Sequence, residues 1–173
     1  MNKRSKVKDM VIISLLCAIG LVSHQIMPAF FGMQADFTLI MLGIIVITYK
    51  DSFDLCVTSG AILSIFTALT TKFPAGQIPN ILDKMLTSII MYFLFNYVIN
   101  KINKKIIKNI IVFVAVTLIS GIIFLGSAYL LVGLPGPFML LFATSVLPAI
   151  AINTIVGIII EPIVEKINKK IYY

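Results

Sequence analysis

The chain has 173 residues, 60% of them hydrophobic and only 12% charged, with a mean hydropathy of +1.07; a soluble domain is about 45–50% apolar and about 25% charged. A large soluble catalytic or nucleotide-binding domain is excluded, because six membrane crossings of ~20 residues each leave only short loops. The net charge of +7, from 14 Lys+Arg against 7 Asp+Glu, would raise nucleic acid as a partner in a soluble protein, but the positions of the charges point elsewhere.

The hydropathy pattern predicts one all-α integral membrane domain over residues 1–173, a bundle of six transmembrane helices in the lipid bilayer. The first span, about 9–27, follows the basic start Lys3, Arg4, Lys6 and Lys8 and stops at Pro28. It has the outline of a signal peptide, but no small-residue cleavage site with a polar continuation follows, so it is expected to be retained. The second span covers about 33–49 and is the shortest. The others cover about 53–71, 81–100, 110–132 and 138–164. These lengths suit helices crossing a hydrocarbon core about 30 Å thick. A soluble bundle would need polar helix faces, and these segments leave too few.

All basic residues except Lys72 and Lys84 fall in the N-terminal tail, the loops after spans two and four, or the C-terminal tail. The positive-inside rule therefore places both termini in the cytoplasm. The net charge reads as a topology signal, and no nucleic acid is expected. Lys72 and Lys84 flank the outer loop between spans three and four. Cys17 and Cys56 fall within spans and read as small apolar packing residues, not as a disulfide or metal site.

Small and hydroxyl residues form stripes inside the helices. Gly60, Ser64, Thr67, Ala68 and Thr71 follow one face of span three, and Asn153, Gly157 and Glu161 recur at i, i+4, i+8. Such stripes let helices approach closely in lipid. Asp36 reads as the cap of span two. Glu161 reads as a carboxylate near the inner interface, solvated or paired with a lysine. His24 stands near the outer end of span one. Asp83 and Lys84 lie a few residues into span four, where a charge costs roughly 2.5–3.5 kcal/mol to insert.

The most informative segment is the outer loop Thr70-Thr71-Lys72-Phe73-Pro74-Ala75-Gly76-Gln77-Ile78-Pro79-Asn80. Two prolines and a glycine fix a compact path. Lys72, Gln77 and Asn80 can donate hydrogen bonds, Phe73 offers a ring face, and Asp83 and Lys84 follow at once. That set suits a zwitterion with an apolar side chain. Tyr129 and Phe138 fall on the same outer side, with Phe30 and Phe31, either as an interfacial belt or as rings that stack a flat ligand. No HExxH, GxSxG or Walker A sequence is present, so neither enzyme activity, catalytic residues, cofactor nor metal is expected. Tryptophan is absent from the chain, although membrane proteins usually place it at the lipid interface.

The segment Leu69–Asn80 followed by Asp83-Lys84 closely resembles the bacterial tryptophan transporter family, which is similar to the substrate-binding S components of energy-coupling factor (ECF) transporters. Ala18-Ile19-Gly20 with His24 and Pro28, the Val132–Gly136 loop, and Leu147-Pro148-Ala149 with Asn153-Thr154 agree with it in order along the chain. The resemblance implies a six-helix bundle of ECF S-component type in the bacterial cell membrane. Such a subunit binds substrate near the outer face with high affinity and docks on a membrane coupling subunit carrying two ABC-type ATPases. ATP hydrolysis then topples it so that the site faces inward. The docking face would include Ser14 and Ala18, where many S components carry two alanines. For L-tryptophan, the resemblance implies that Lys72 or Lys84 holds the carboxylate and Asp83 the ammonium. Asn80, Gln77 or Asn153 would complete the hydrogen bonds, Phe73, Tyr129 or Phe138 would cover the indole, and His24 is a further contact candidate. Two other readings stay open: an S component for another small aromatic metabolite or vitamin, and a self-sufficient homo-oligomeric secondary carrier.

Overall fold

Runs of Ile, Leu, Val and Phe long enough to leave water must satisfy their backbone N–H and C=O groups internally, and the helix does this within one segment. In the computed structural model, which describes residues 3–26, 29–30, 33–34 and 36–172 and the side chains of 6–26 and 36–170, they do so. Helix α1 (Lys3–Ile26) is followed by two short strands, β1 (Ala29–Phe30) and β2 (Met33–Gln34), paired antiparallel. Then come α2 (Phe37–Thr48), α3 (Phe53–Thr70), α4 (Gln77–Tyr97) with a 3-10 turn at Ile99–Lys101, and α5 (Lys105–Leu131). Last, α6 (Phe138–Leu141), a π-helical turn (Phe142–Val146) and α7 (Leu147–Tyr172) run on without a break. Pro28, Phe31 and the side chains of Lys3, Arg4 and Phe30, all named from sequence, lie outside the described residues.

Among the described residues, five helical stretches are long and apolar enough to cross a membrane: 6–26, 53–70, 77–101, 105–131 and 138–170. Helix α2 differs. A helix was expected from about residue 33, but 33–34 pairs with 29–30 and the helix starts at Phe37. Its 12 residues span about 18 Å, well short of a bilayer core. Every side chain from Thr38 to Val46 is buried. Helix α2 is therefore the central strut of the bundle, and its apolar character comes from packing on protein.

Glycine sets the closest approaches. A Cβ on Gly60 of α3 would stand 2.2 Å from Ser88 Oγ of α4, and one on Gly157 of α7 would stand 2.6 Å from the Phe113 ring of α5. At the end of the bundle where α5 begins and α7 ends, Asn109 Nδ2 donates to Glu161 Oε2 at 2.7 Å, and Lys105 Nζ lies 3.3 Å from Glu161 Oε1. Of the two alternatives for Glu161, the lysine-paired one is realised, and the residue is buried. Cys17 and Cys56 are buried and unbonded to each other.

Candidate functional site

The outer loop builds one wall of a cavity. Helix α3 stops as Thr71 turns to an extended backbone, and Ala75 takes a left-handed φ of 53°. Thr71 Oγ1 then accepts from Phe73 N at 3.3 Å and from Asn80 Nδ2 at 3.0 Å, while Asn80 Nδ2 also donates to the Gly76 carbonyl at 2.9 Å. Pro79 falls in the first turn of α4, where a missing N–H leaves no gap in the helix ladder. The loop is thus stapled to the helix it precedes, and Phe73 is pressed inward to 4% exposure, edge-on to Phe124 of α5 with ring centres 5.3 Å apart.

Beneath that pair lies a cavity of about 90 Å³ bounded by α1, α2, the outer loop, α4, α5, the π turn and α7. Its floor is charged. Lys84 is fully buried, and its ammonium sits 2.6 Å from Asp36 Oδ2, bonds the neighbouring Asp83 carboxylate, and reaches Ser120 Oγ at 3.4 Å. Asp83 also accepts from Ser120 Oγ at 2.8 Å and from Thr87 Oγ1 at 3.0 Å. Asp36 caps α2 by accepting from Thr38 N at 3.0 Å, as the sequence suggested, and is at the same time the second carboxylate of the cluster. His24 Nδ1 lies 3.2 Å from its Oδ1. Asn153 Nδ2 donates to Thr117 Oγ1 at 3.1 Å and reaches the Asp36 carbonyl at 3.5 Å.

Of the residues named from sequence, His24, Lys72, Phe73, Asn80, Asp83, Lys84 and Asn153 line this cavity. Lys72 does so from the exposed rim, with Nζ 3.3 Å from the Gln25 carbonyl. Gln77, Tyr129 and Phe138 do not line it: Gln77 and Tyr129 are exposed, and Phe138 stacks on Phe142 beside Leu125 and Leu141. Ser14 and Ala18 share the exposed side of α1. Sequence reasoning missed Asp36 as a wall residue, and also Thr117, Ser120 and Phe124 of α5 and Ser145 of the π turn. The signal for α5 was its hydroxyls Thr117 and Ser120, spaced i, i+3 in an otherwise apolar run. Among the described residues, no three His, Cys, Asp or Glu side chains gather as metal ligands.

Long apolar helices enclosing a small, charge-floored cavity define a multi-pass membrane protein with an internal site for a small polar molecule. Residues 6–169 match the family described as Tryptophan transporter TrpP. The chain is 46% identical over 176 residues to a "probable tryptophan transport protein" of Clostridium perfringens, covering 96% of each. It is 42% identical over 170 residues to one from Clostridium acetobutylicum, covering 98% of each, and 43% identical over 166 residues to one from Bacillus subtilis, covering 95% of each. No solved structure matches it. The chain belongs to the bacterial tryptophan transporter family, as its outer loop suggested, and is a transport protein of the bacterial cell membrane, not an enzyme.

Proposed function

We propose that this chain is the high-affinity substrate-binding subunit for L-tryptophan uptake, an S component driven by an ECF coupling subunit and two ABC-type ATPases. The observation that carries the substrate reading is the charge of the cavity floor. Two carboxylates, Asp36 and Asp83, face one buried ammonium, that of Lys84. The cluster therefore has a place for one more positive charge. A substrate ammonium fills it, while the substrate carboxylate turns toward Lys84 or toward Lys72 at the rim. Above the floor, Phe73 and Phe124 offer ring faces and edges to an aromatic side chain. A cavity of about 150 Å³ accommodates benzene, so a space of about 90 Å³ has to widen for an indole. We assign that widening to the outer loop carrying Phe73, which requires the Lys72 contact with the Gln25 carbonyl to release.

The absence of tryptophan from the chain makes the test direct. Excitation selective for indole reports the ligand alone. Titrating the purified protein with L-tryptophan is expected to give a saturable change in ligand emission. A signal that never departs from that of free ligand overturns the substrate reading.

ECF coupling rests on the family resemblance, on the distribution of basic residues, which by the positive-inside rule argues for cytoplasmic termini, and on the small residues Ser14 and Ala18 on the open side of α1, which allow a partner helix to approach closely. Tryptophan uptake is expected to vanish in cells lacking the coupling subunit and ATPases, while binding to the purified chain persists. Undiminished uptake in those cells would instead identify a self-sufficient carrier.

A further inference from the structure

The cavity has two ends of different chemistry. On α5, Thr117 and Phe124 are seven residues apart, about 10 Å along the axis; on the last helical stretch, Ser145 and Asn153 are eight apart, about 12 Å. Thr117 and Asn153 bond each other at the charged floor. Phe124, Leu125, Val146 and Phe73 surround the other end. The polar groups of that outer end are engaged with the loop itself, since Thr71 and Asn80 bond each other and the turn backbone. One hydroxyl there is different. Ser145 Oγ is buried, lines the cavity and has no hydrogen-bond partner among the described residues.

A buried serine or threonine in an α-helix ordinarily returns its hydroxyl to the carbonyl three or four residues back. Ser59, Ser64, Thr67 and Ser88 all do so here. Ser145 sits in the π turn Phe142–Val146, where the Leu147 N–H bonds the Phe142 carbonyl five residues back. Within that turn Thr144 still bonds the Leu140 carbonyl, whereas the Ser145 hydroxyl makes no such return bond and lines the cavity. Gly121 of α5 lets this turn come close, because a Cβ there would stand 2.5 Å from Val146 Cγ1. π turns of this kind are frequent at functional sites. An unmade hydrogen bond in a buried, mostly apolar space is costly unless a ligand completes it.

We propose that Ser145, whose unpartnered hydroxyl lines the cavity from the π turn, is the specificity residue that accepts a hydrogen bond from the ring N–H of the substrate. The inference rests on the aromatic amino-acid reading above and adds which atom of the side chain is recognised. The ammonium and carboxylate are read at the floor, and the indole N–H is the one donor a tryptophan side chain presents to the apolar end. A site built around such a bond discriminates strongly against an analogue that lacks the donor.

The test uses two ligands and two proteins. L-tryptophan and its benzothiophene analogue, in which sulfur replaces the ring N–H, are titrated by calorimetry into the full chain and into Ser145→Ala. Alanine removes one atom and suits a helix, and circular dichroism and thermal unfolding check that the variant is folded. The expected result is that the native chain prefers tryptophan by about tenfold or more. In Ser145→Ala, tryptophan affinity falls by about that factor, while the analogue binds as well as or better than before, so the ratio approaches one. Equal affinities in the native chain, or an equal loss of both ligands in the variant, overturn the assignment of Ser145 alone. Binding of neither ligand to the native chain overturns the substrate reading and this inference with it.

Discussion

Lys84→Met is expected to abolish L-tryptophan binding, with affinity down by more than a hundredfold, and to lower folding stability by about 3–5 kcal/mol. Methionine is close to lysine in length and would keep most of the packing. What disappears is the ammonium bonded to both Asp36 and Asp83. The two carboxylates, 13% and 1% exposed at their side chains, would then face each other with Thr38, Ser120, Thr87 and His24 beside them but no lysine. Buried charge left without its partner is more damaging than loss of the pair as a whole. Asp83→Asn separates the two effects. It keeps a hydrogen-bonding side chain of the same shape and leaves Lys84 paired with Asp36, so the melting temperature in detergent is expected to stay close to the native value or above it. The excess carboxylate is gone, however, and indole fluorescence is expected to show tryptophan binding lost or weakened at least tenfold. Native affinity in Asp83→Asn would remove Asp83 from the site. Native affinity in Lys84→Met would remove the whole cluster.

That cluster shows how far the sequence could be read. Long apolar stretches are legible because lipid demands a helix wherever it meets backbone, but hydropathy does not fix their ends: α1, α4 and α5 start several residues earlier than the apolar runs, and α7 extends past 164 to Tyr172. Helix α2 was the exception in length. Its sequence is as apolar as a membrane span, and hydropathy does not distinguish a helix buried by lipid from one buried by other helices. The capping role of Asp36 was legible because a cap is local, acting on Thr38 two residues away. Its ion pair with Lys84 crosses 48 positions, and nothing local announces it. Asp83 and Lys84 are adjacent, about 100° apart around the helix, which by itself gave no reason to expect contact. The long lysine side chain makes it by folding back beside its neighbour.

The outer-loop residues divided for a similar reason. Phe73 and Asn80 turn inward because Thr71 and the Gly76 carbonyl staple the loop, whereas Gln77, one turn from Asn80 on the same helix, stays exposed. Tyr129 and Phe138 share an end of the bundle with the cavity but not its wall. Hydroxyl residues were the least legible. Serines and threonines occur throughout the helices, several of them bonding their own backbone, and composition gives no sign that residues 142–146 would widen into a π turn or that Ser145 there would lack a partner.

Gly60→Leu is expected to cost about 1–3 kcal/mol or more through overpacking, and to weaken tryptophan binding although residue 60 does not itself line the cavity. Even the first added carbon has no room: it would lie 2.2 Å from Ser88 Oγ, 2.4 Å from Ser88 Cβ and 3.1 Å from the Lys84 carbonyl. Helix α4 must move away from α3, and it carries Asp83 and Lys84 on the same turn as the clash. Displacing that turn pulls the ammonium from Asp36, which is fixed on α2. Helix α3 and helix α4 form the most extensive helix pair of the bundle, so the shift cannot be absorbed by a loop. Gly60→Ala is the milder form, and pairing it with Ser88→Gly isolates the cause. The double variant removes the side chain that the new methyl group strikes, so its loss of stability is expected to be smaller than the sum of the two single losses by about 1 kcal/mol or more. Gly126→Ala is the control. A Cβ at Gly126 meets nothing within 4 Å, and alanine favours a helix over glycine by roughly 0.5–1 kcal/mol. Thermal unfolding is therefore expected to be unchanged or raised, with tryptophan affinity unaltered. If Gly60→Ala behaved like Gly126→Ala, the α3–α4 contact would not be what holds Lys84 against Asp36.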